Sequence, residues 1–194
     1  SDAVAGWELR DAAKEKKQSL LTMTQRWLGV FDANREAWSK ATSIREFDIA
    51  RQDMRVLTQY AEGLLDTGGA VRDRAMADNT RWILDQEGPA GKVVVWAHNA
   101  HISKAGFYGN PSQGTHLASA LRQNYLVFGF AFDEGGFQAV QPQKGLNNHL
   151  VEPAPIGTLD AALARAGHDV LALDLRQRPA TGPVAEWFQS LVET

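Results

Sequence analysis

A change of period at Gly88-Pro89 constrains this chain more than any other feature. Before it, apolar residues recur every three or four positions with charges between them, as in helices that keep one face wet. After it, short continuous runs of β-branched and aromatic residues alternate with helical stretches, as in strands covered on both faces. The charges follow the same division. Residues 1–90 hold 13 Lys and Arg, 15 Asp and Glu and one proline, whereas residues 91–194 hold 7 and 8 with six prolines. The expected fold is α/β: a helical lobe over residues 1–70, then an α/β region over 71–194 with a mostly parallel sheet and covering helices.

The spacing predicts a first helix from about Trp7 to Gly29 with Leu20, Met23 and Trp27 facing inward. A second opens at Ser43, where Ser43-Ile-Arg-Glu46 reads as a capping box, and its stripe runs through Ile44, Phe47, Ala50, Met54, Leu57, Ala61 and Leu64. The two form a hairpin. A third helix spans Val71 to Glu87, with Arg72, Met76, Asn79 and Ile83 on one face and Arg74 paired to Asp78. Lys92–Ala97, Tyr125–Phe132 and Asp169–Leu175 read as buried strands, with helices over about 116–123 and 159–166 between them. Phe137–Gln141 reads as a further strand, paired as a hairpin. Trp82 and Trp96 are expected in the core.

Composition excludes several chemistries. Cysteine is absent, which removes a Cys nucleophile, thiolate zinc and Fe–S ligation. A net charge of -3 argues against nucleic acid as a partner. No apolar run approaches the roughly 20 residues that a membrane helix needs, so no membrane partner is expected. There is no Gly-x-Ser-x-Gly elbow, no Gly-x-Gly-x-x-Gly and no phosphate-binding Gly-Lys-Ser/Thr. No cofactor is called for. The Ser1 start suggests a chain trimmed from something longer.

What remains is histidine. His98 and His101 follow the carboxyl end of the Val93–Trp96 run, where open α/β sheets gather their ligands, and His116 lies 15 residues beyond His101. Imidazole is the side chain whose ordinary titration suits proton transfer near neutrality. The plainer reading makes one of these histidines a helix cap and another a surface hydrogen-bonding group. A metal reading takes His98, His101 and His116 as three nitrogen ligands, although the spacing fits no zinc pattern and none is expected. Arg72 reads from the residues alone as an exposed first-turn cation beside a carboxylate. If its helix faces the histidine loop, its planar fork could hold a carbonyl or carboxylate. Asp133-Glu134-Gly135-Gly136 reads as a turn, and His149 and His168 as structural.

An ordered series of motifs resembles the erythromycin esterase family. These are Arg72-Asp-Arg-Ala-Met76-Ala-Asp-Asn79-Thr-Arg-Trp82, then Lys92-Val-Val-Val-Trp96-Ala-His98-Asn99-Ala-His101, Gly114-Thr-His116-Leu117, Gly136-Phe137-Gln-Ala139, Glu152-Pro-Ala-Pro155 and Leu173-Asp174-Leu175-Arg176. The resemblance implies a cytoplasmic two-lobed hydrolase that opens an ester, with a macrolide lactone as the best-known substrate. It also implies a water activated by histidine and no required metal. Carried onto this chain, it makes His98 and His101 the site histidines and Arg72 their cationic partner, with Asn99, His116 and Asn79 binding a small-molecule ester. Family members also carry an N-terminal half with a His- and Glu-bearing loop, which nothing here matches. The chain is therefore expected to represent the C-terminal half, with the other half supplied by another segment or chain. A non-catalytic module that keeps only a small-molecule pocket is the alternative.

Overall fold

The computed structural model describes residues 9–107, 109–141 and 144–190. It comprises two compact units, residues 1–129 and 130–194.

In the first unit, α1 (Lys14–Ala33), α2 (Arg35–Ala41) and α3 (Ile44–Leu65) form the helical hairpin expected from the sequence. The Trp7 start proposed for the first helix lies outside the described residues. Gly29 does not stop α1, because one glycine lowers helix propensity by only about 1 kcal/mol. The break comes at Asn34, whose side chain and backbone N–H both donate to the Val30 carbonyl. The inward stripe is one residue out of phase with the expected one. Thr24 is buried while Met23 and Trp27 stand about half exposed. Phe31 completes that inner face: it meets Trp38 edge-on at 5.1 Å and Phe47 at 5.9 Å. Arg51 grips Asp32 through Nε and Nη2 at 2.6 and 3.2 Å, which ties α1 to α3 and draws the Asp32 carboxyl below its usual range.

Ser43 caps α3 as its motif predicts, accepting from the Glu46 N–H at 3.1 Å. Its stripe drifts along the helix: Phe47 and Ala61 are buried, but Ile44 and Leu57 face outward and Thr58 and Gln59 take the interior. The chain then turns through Gly69, at φ +78°, into α4 (Ala70–Gln86). Beyond it lie the single-turn α5 (Asn99–Ile102) and α6 (Gln113–Leu121), which continues as a 3₁₀ turn to Asn124.

The mostly parallel sheet is not formed. Among the described residues the one ladder lies in the second unit, where β1 (Gly135–Gln141) and β2 (Gly145–Val151) pair antiparallel with Phe137 opposite His149. This is the hairpin expected after Gly135-Gly136. Phe137 and His149 stack across it at 5.2 Å. Lys92–Ala97 and Tyr125–Phe132 are irregular, Asp169–Asp174 begins with a bend, and none of the three joins a ladder. In Lys92–Ala97 burial alternates with the two-residue period of a strand. Val93, Val95 and Ala97 turn toward the unit, while Val94 is 93% exposed and Trp96, expected in the core, is 87% exposed. The second unit also holds α7 (Leu159–Ala164) and α8 (Pro183–Ser190), with Ala161 and Ala185 as their buried positions.

Candidate active site

The first turn of α4 carries Arg72 and Asp73, and its start is held by a carboxylate rather than by its cap residue. Gly69 has no side chain to offer, and Asp66 takes over by accepting from the Gly68 and Val71 N–H groups at 3.0 and 2.8 Å. The Val71 and Gly68 amides hold the Asp66 carboxyl below its usual range. The most buried position of α4 is Ala77, 1% exposed, and Asp73 and Thr80 share its face at i−4 and i+3. That face meets α6. Arg72, Met76, Asn79 and Ile83 lie a residue away in phase; Asn79 accepts from Gln52 of α3 at 2.8 Å. Arg74, expected beside Asp78, lies 3.9 Å from Glu62 of α3.

Asp73 joins three elements. Its Oδ1 is 2.8 Å from Nδ1 of His101 on α5 and accepts at 2.8 Å from the backbone N–H of Gln113, the first residue of α6. Burial pushes the Asp73 carboxyl up, but the His101 and Gln113 bonds and the charge of Arg72 outweigh it and leave the carboxyl below its usual range. On the other side of the ring, Arg72 Nη1 lies 2.9 Å from His101 Nε2. A guanidinium has only donors. Nε2 therefore accepts, and the imidazole proton sits on Nδ1, where it is donated to Asp73.

His98 has a different task. It is the N-cap of α5, and its Nδ1 accepts from the Ala100 N–H at 3.2 Å. A neutral imidazole that accepts at Nδ1 carries its proton on Nε2. The two histidines thus hold opposite tautomers, three residues apart. One caps a helix and the other is hydrogen-bonded, as the plainer reading of the pair had it. Asn99 opens α5 beside His98. His116 lies three residues into α6 from Gln113, and no hydrogen bond joins its ring to this cluster among the described residues. No three His, Asp or Glu side chains converge as a metal set among them either, so the three-histidine ligand set is not assembled.

The frame under this cluster is close-fitting. Ser112 and Thr115 form a full capping box on α6. The Gln113 side-chain amide donates to Thr80 Oγ1 at 3.1 Å, so α6 is pinned to α4 at two places. A Cβ on Gly114 would overlap the Ile102 carbonyl, which shows how closely α6 approaches the end of α5. Tyr125 donates its hydroxyl to that same carbonyl at 3.0 Å, and burial pushes its phenol up, so it stays protonated. The structure brings His101 together with Arg72, which only the family resemblance had placed at the site, and adds Asp73 and Gln113, which were not singled out from the sequence. The available signal was small and polar residues at 73, 77 and 80, spaced as one helical face.

A crystal structure of a Bacillus cereus protein superposes with a TM-score of 0.80 over 92% of this chain and 45% of its own, at 21% identity. "Putative hydrolase YbfO" of Bacillus subtilis is 27% identical over 132 residues, covering 61% of this chain and 28% of that protein. "Erythromycin esterase type II" of Escherichia coli is 27% identical over 125 residues, covering 56% of this chain and 30% of that protein. The chain thus spans less than a third of the length of these two relatives. The family model for erythromycin esterase matches residues 3–194, essentially the whole chain. This chain belongs to the erythromycin esterase family.

Proposed function

We propose that this chain carries the histidine centre of an ester hydrolase that uses an activated water, with a macrolide lactone as the best candidate substrate. The observation that supports this most is the bond series Asp73–His101–Arg72, which leaves a basic imidazole nitrogen beside a cation. In the proposed reaction Arg72 moves from His101 Nε2 to the ester carbonyl oxygen. The freed Nε2 takes a proton as water oxygen bonds to the carbonyl carbon. Arg72 stabilises the negative charge on the carbonyl oxygen, and the His101 proton passes to the departing alkoxide as the C–O bond breaks. His98 offers an Nε2–H as a hydrogen-bond donor, and Asn99, Asn79 and His116 are the proposed substrate contacts.

Hydrolysis of an activated aryl ester and of a macrolide lactone by His101→Ala and His98→Ala tests the assignment. General base catalysis contributes about 10²–10⁴-fold, so His101→Ala should lose that much and His98→Ala less. Full hydrolysis by both variants would remove the histidines from the reaction.

One observation favours a second reading, a module that binds without catalysing on its own. The apolar Val94 face of Lys92–Ala97 is uncovered, and the structural relative is more than twice as long as the part matched here. On this reading further polypeptide of the family fold, on another segment or chain, covers that face and brings the remaining catalytic groups. Assaying the chain alone and again with the unmatched part of the Bacillus cereus protein separates the two. Hydrolysis by the chain alone favours the first reading, and hydrolysis that appears only when the unmatched part is supplied favours the second.

A further inference from the structure

We propose that Asp73 is the positioning residue of this site: its carboxylate, anchored by the first backbone N–H of α6, keeps the His101 proton on Nδ1 and leaves Nε2 as the basic nitrogen. The purpose of this arrangement rests on the hydrolase reading; its geometry does not.

The carboxylate is not an incidental surface partner. One oxygen, Asp73 Oδ1, takes both the imidazole of His101 and the Gln113 N–H at 2.8 Å. The side chains of Asp73 and His101 retain only 16% and 27% of their exposure. Gln113 is itself buried and tied by its side chain to Thr80, two turns further along α4. The anchor of the carboxylate therefore cannot shift without breaking a second bond to the same helix. Arg72 and Asp73 are the charged groups that meet the ring, one at each nitrogen. Since Arg72 can only donate, a proton on Nε2 would set two donors against each other. Asp73 and Arg72 consequently favour the same tautomer.

Because Asp73 Oδ1 takes both donors, an asparagine that keeps its amide oxygen at that position still accepts from His101 Nδ1 and from the Gln113 N–H. Asp73→Ala removes the acceptor altogether: Nδ1 loses the partner that holds its proton, and the ring is released to share that proton between its two nitrogens.

The test is ¹⁵N NMR of the imidazole nitrogens in the full chain, with the His101 signals identified by their disappearance in His101→Gln. The wild type should show a protonated Nδ1 and an unprotonated Nε2 at a pH where the ring is neutral. Asp73→Ala should blend the two patterns, with part of the proton moved to Nε2, and Asp73→Asn, which keeps an acceptor oxygen in place, should retain the wild-type one. On the aryl ester, Asp73→Ala should lower kcat by about 10²–10⁴-fold, the range expected for loss of a general base, with KM little changed. A wild-type ring protonated on Nε2, or unchanged nitrogen shifts in a folded Asp73→Ala, overturns the proposal. If Asp73→Ala does not fold, the wild-type spectrum alone still decides which nitrogen is protonated. An inactive wild type counts against the hydrolase reading only, because the nitrogen shifts are read without substrate.

Discussion

Asp73 must remain ionised where burial opposes ionisation, and this makes the site sensitive to acid in a definable direction. Its carboxyl titrates lower in the folded chain than in the unfolded one, because the bonds from His101 and Gln113 and the charge of Arg72 outweigh desolvation. The unfolded state therefore binds the extra proton first, and stability falls as pH drops through the folded value of Asp73. Above the ordinary carboxylate range the contribution is fully present. Denaturant midpoints measured across acid pH should show the wild type losing stability more steeply than Asp73→Asn, which has no proton to take up at that position. Equal slopes would mean that the charge of Asp73 contributes nothing to the fold. His101 stood out by residue type and by its place after a predicted strand, and Arg72 only through the family resemblance. Asp73 did not stand out, because Arg72 and Asp73 are neighbours on one turn, about 100° apart around the helix. Only the packing of α6 shows which of them faces inward.

The same ambiguity of phase recurs along whole elements. In α1 the alternative stripes through Met23 and Trp27 or through Thr24 and Phe31 are both plausible from sequence, and the aromatic contacts of Phe31 with Trp38 and Phe47 select the second. Helix existence, the Ser43 cap and the β1–β2 hairpin were legible because each depends on residues close together in the chain. The α5–α6 junction depends on a distant approach and left only Gly114 as its trace. A methyl group there meets backbone atoms of Ile102, which cannot rotate away. Gly114→Ala should destabilise the chain by about 1–3 kcal/mol, in the range of overpacked cores. It should also weaken protection of the Gln113 amide in hydrogen exchange, since α6 must draw back from α5. Wild-type stability with unchanged protection would show that the junction has more slack than its spacing indicates.

At the scale of the molecule, the apolar runs of the second half record that they are to be covered, but not by what. Val93-Val94-Val95-Trp96 has the composition of a strand buried on both faces, and in this structure one of its faces is open. Strand pairing is non-local, so a run alone cannot name its neighbour, and the expected parallel sheet failed for that reason. An uncovered apolar face favours association. The chain by itself should associate with itself in a concentration-dependent way, seen as rising mass in sedimentation velocity. Val94→Lys should suppress this by placing a charge in the middle of that face. A wild type that stays monomeric throughout would show that the open face is harmless.

The ring of His101 is held at both nitrogens by consecutive residues of one helical turn. Its orientation is therefore referenced to α4 as well as to α5, which carries it. The two holds differ in reach: Asp73 is short and tied to the Gln113 N–H, whereas the longer Arg72 side chain follows the ring or leaves it for the substrate. A variant that shifts α5 should therefore disturb the Nδ1 side of the ring before the Nε2 side.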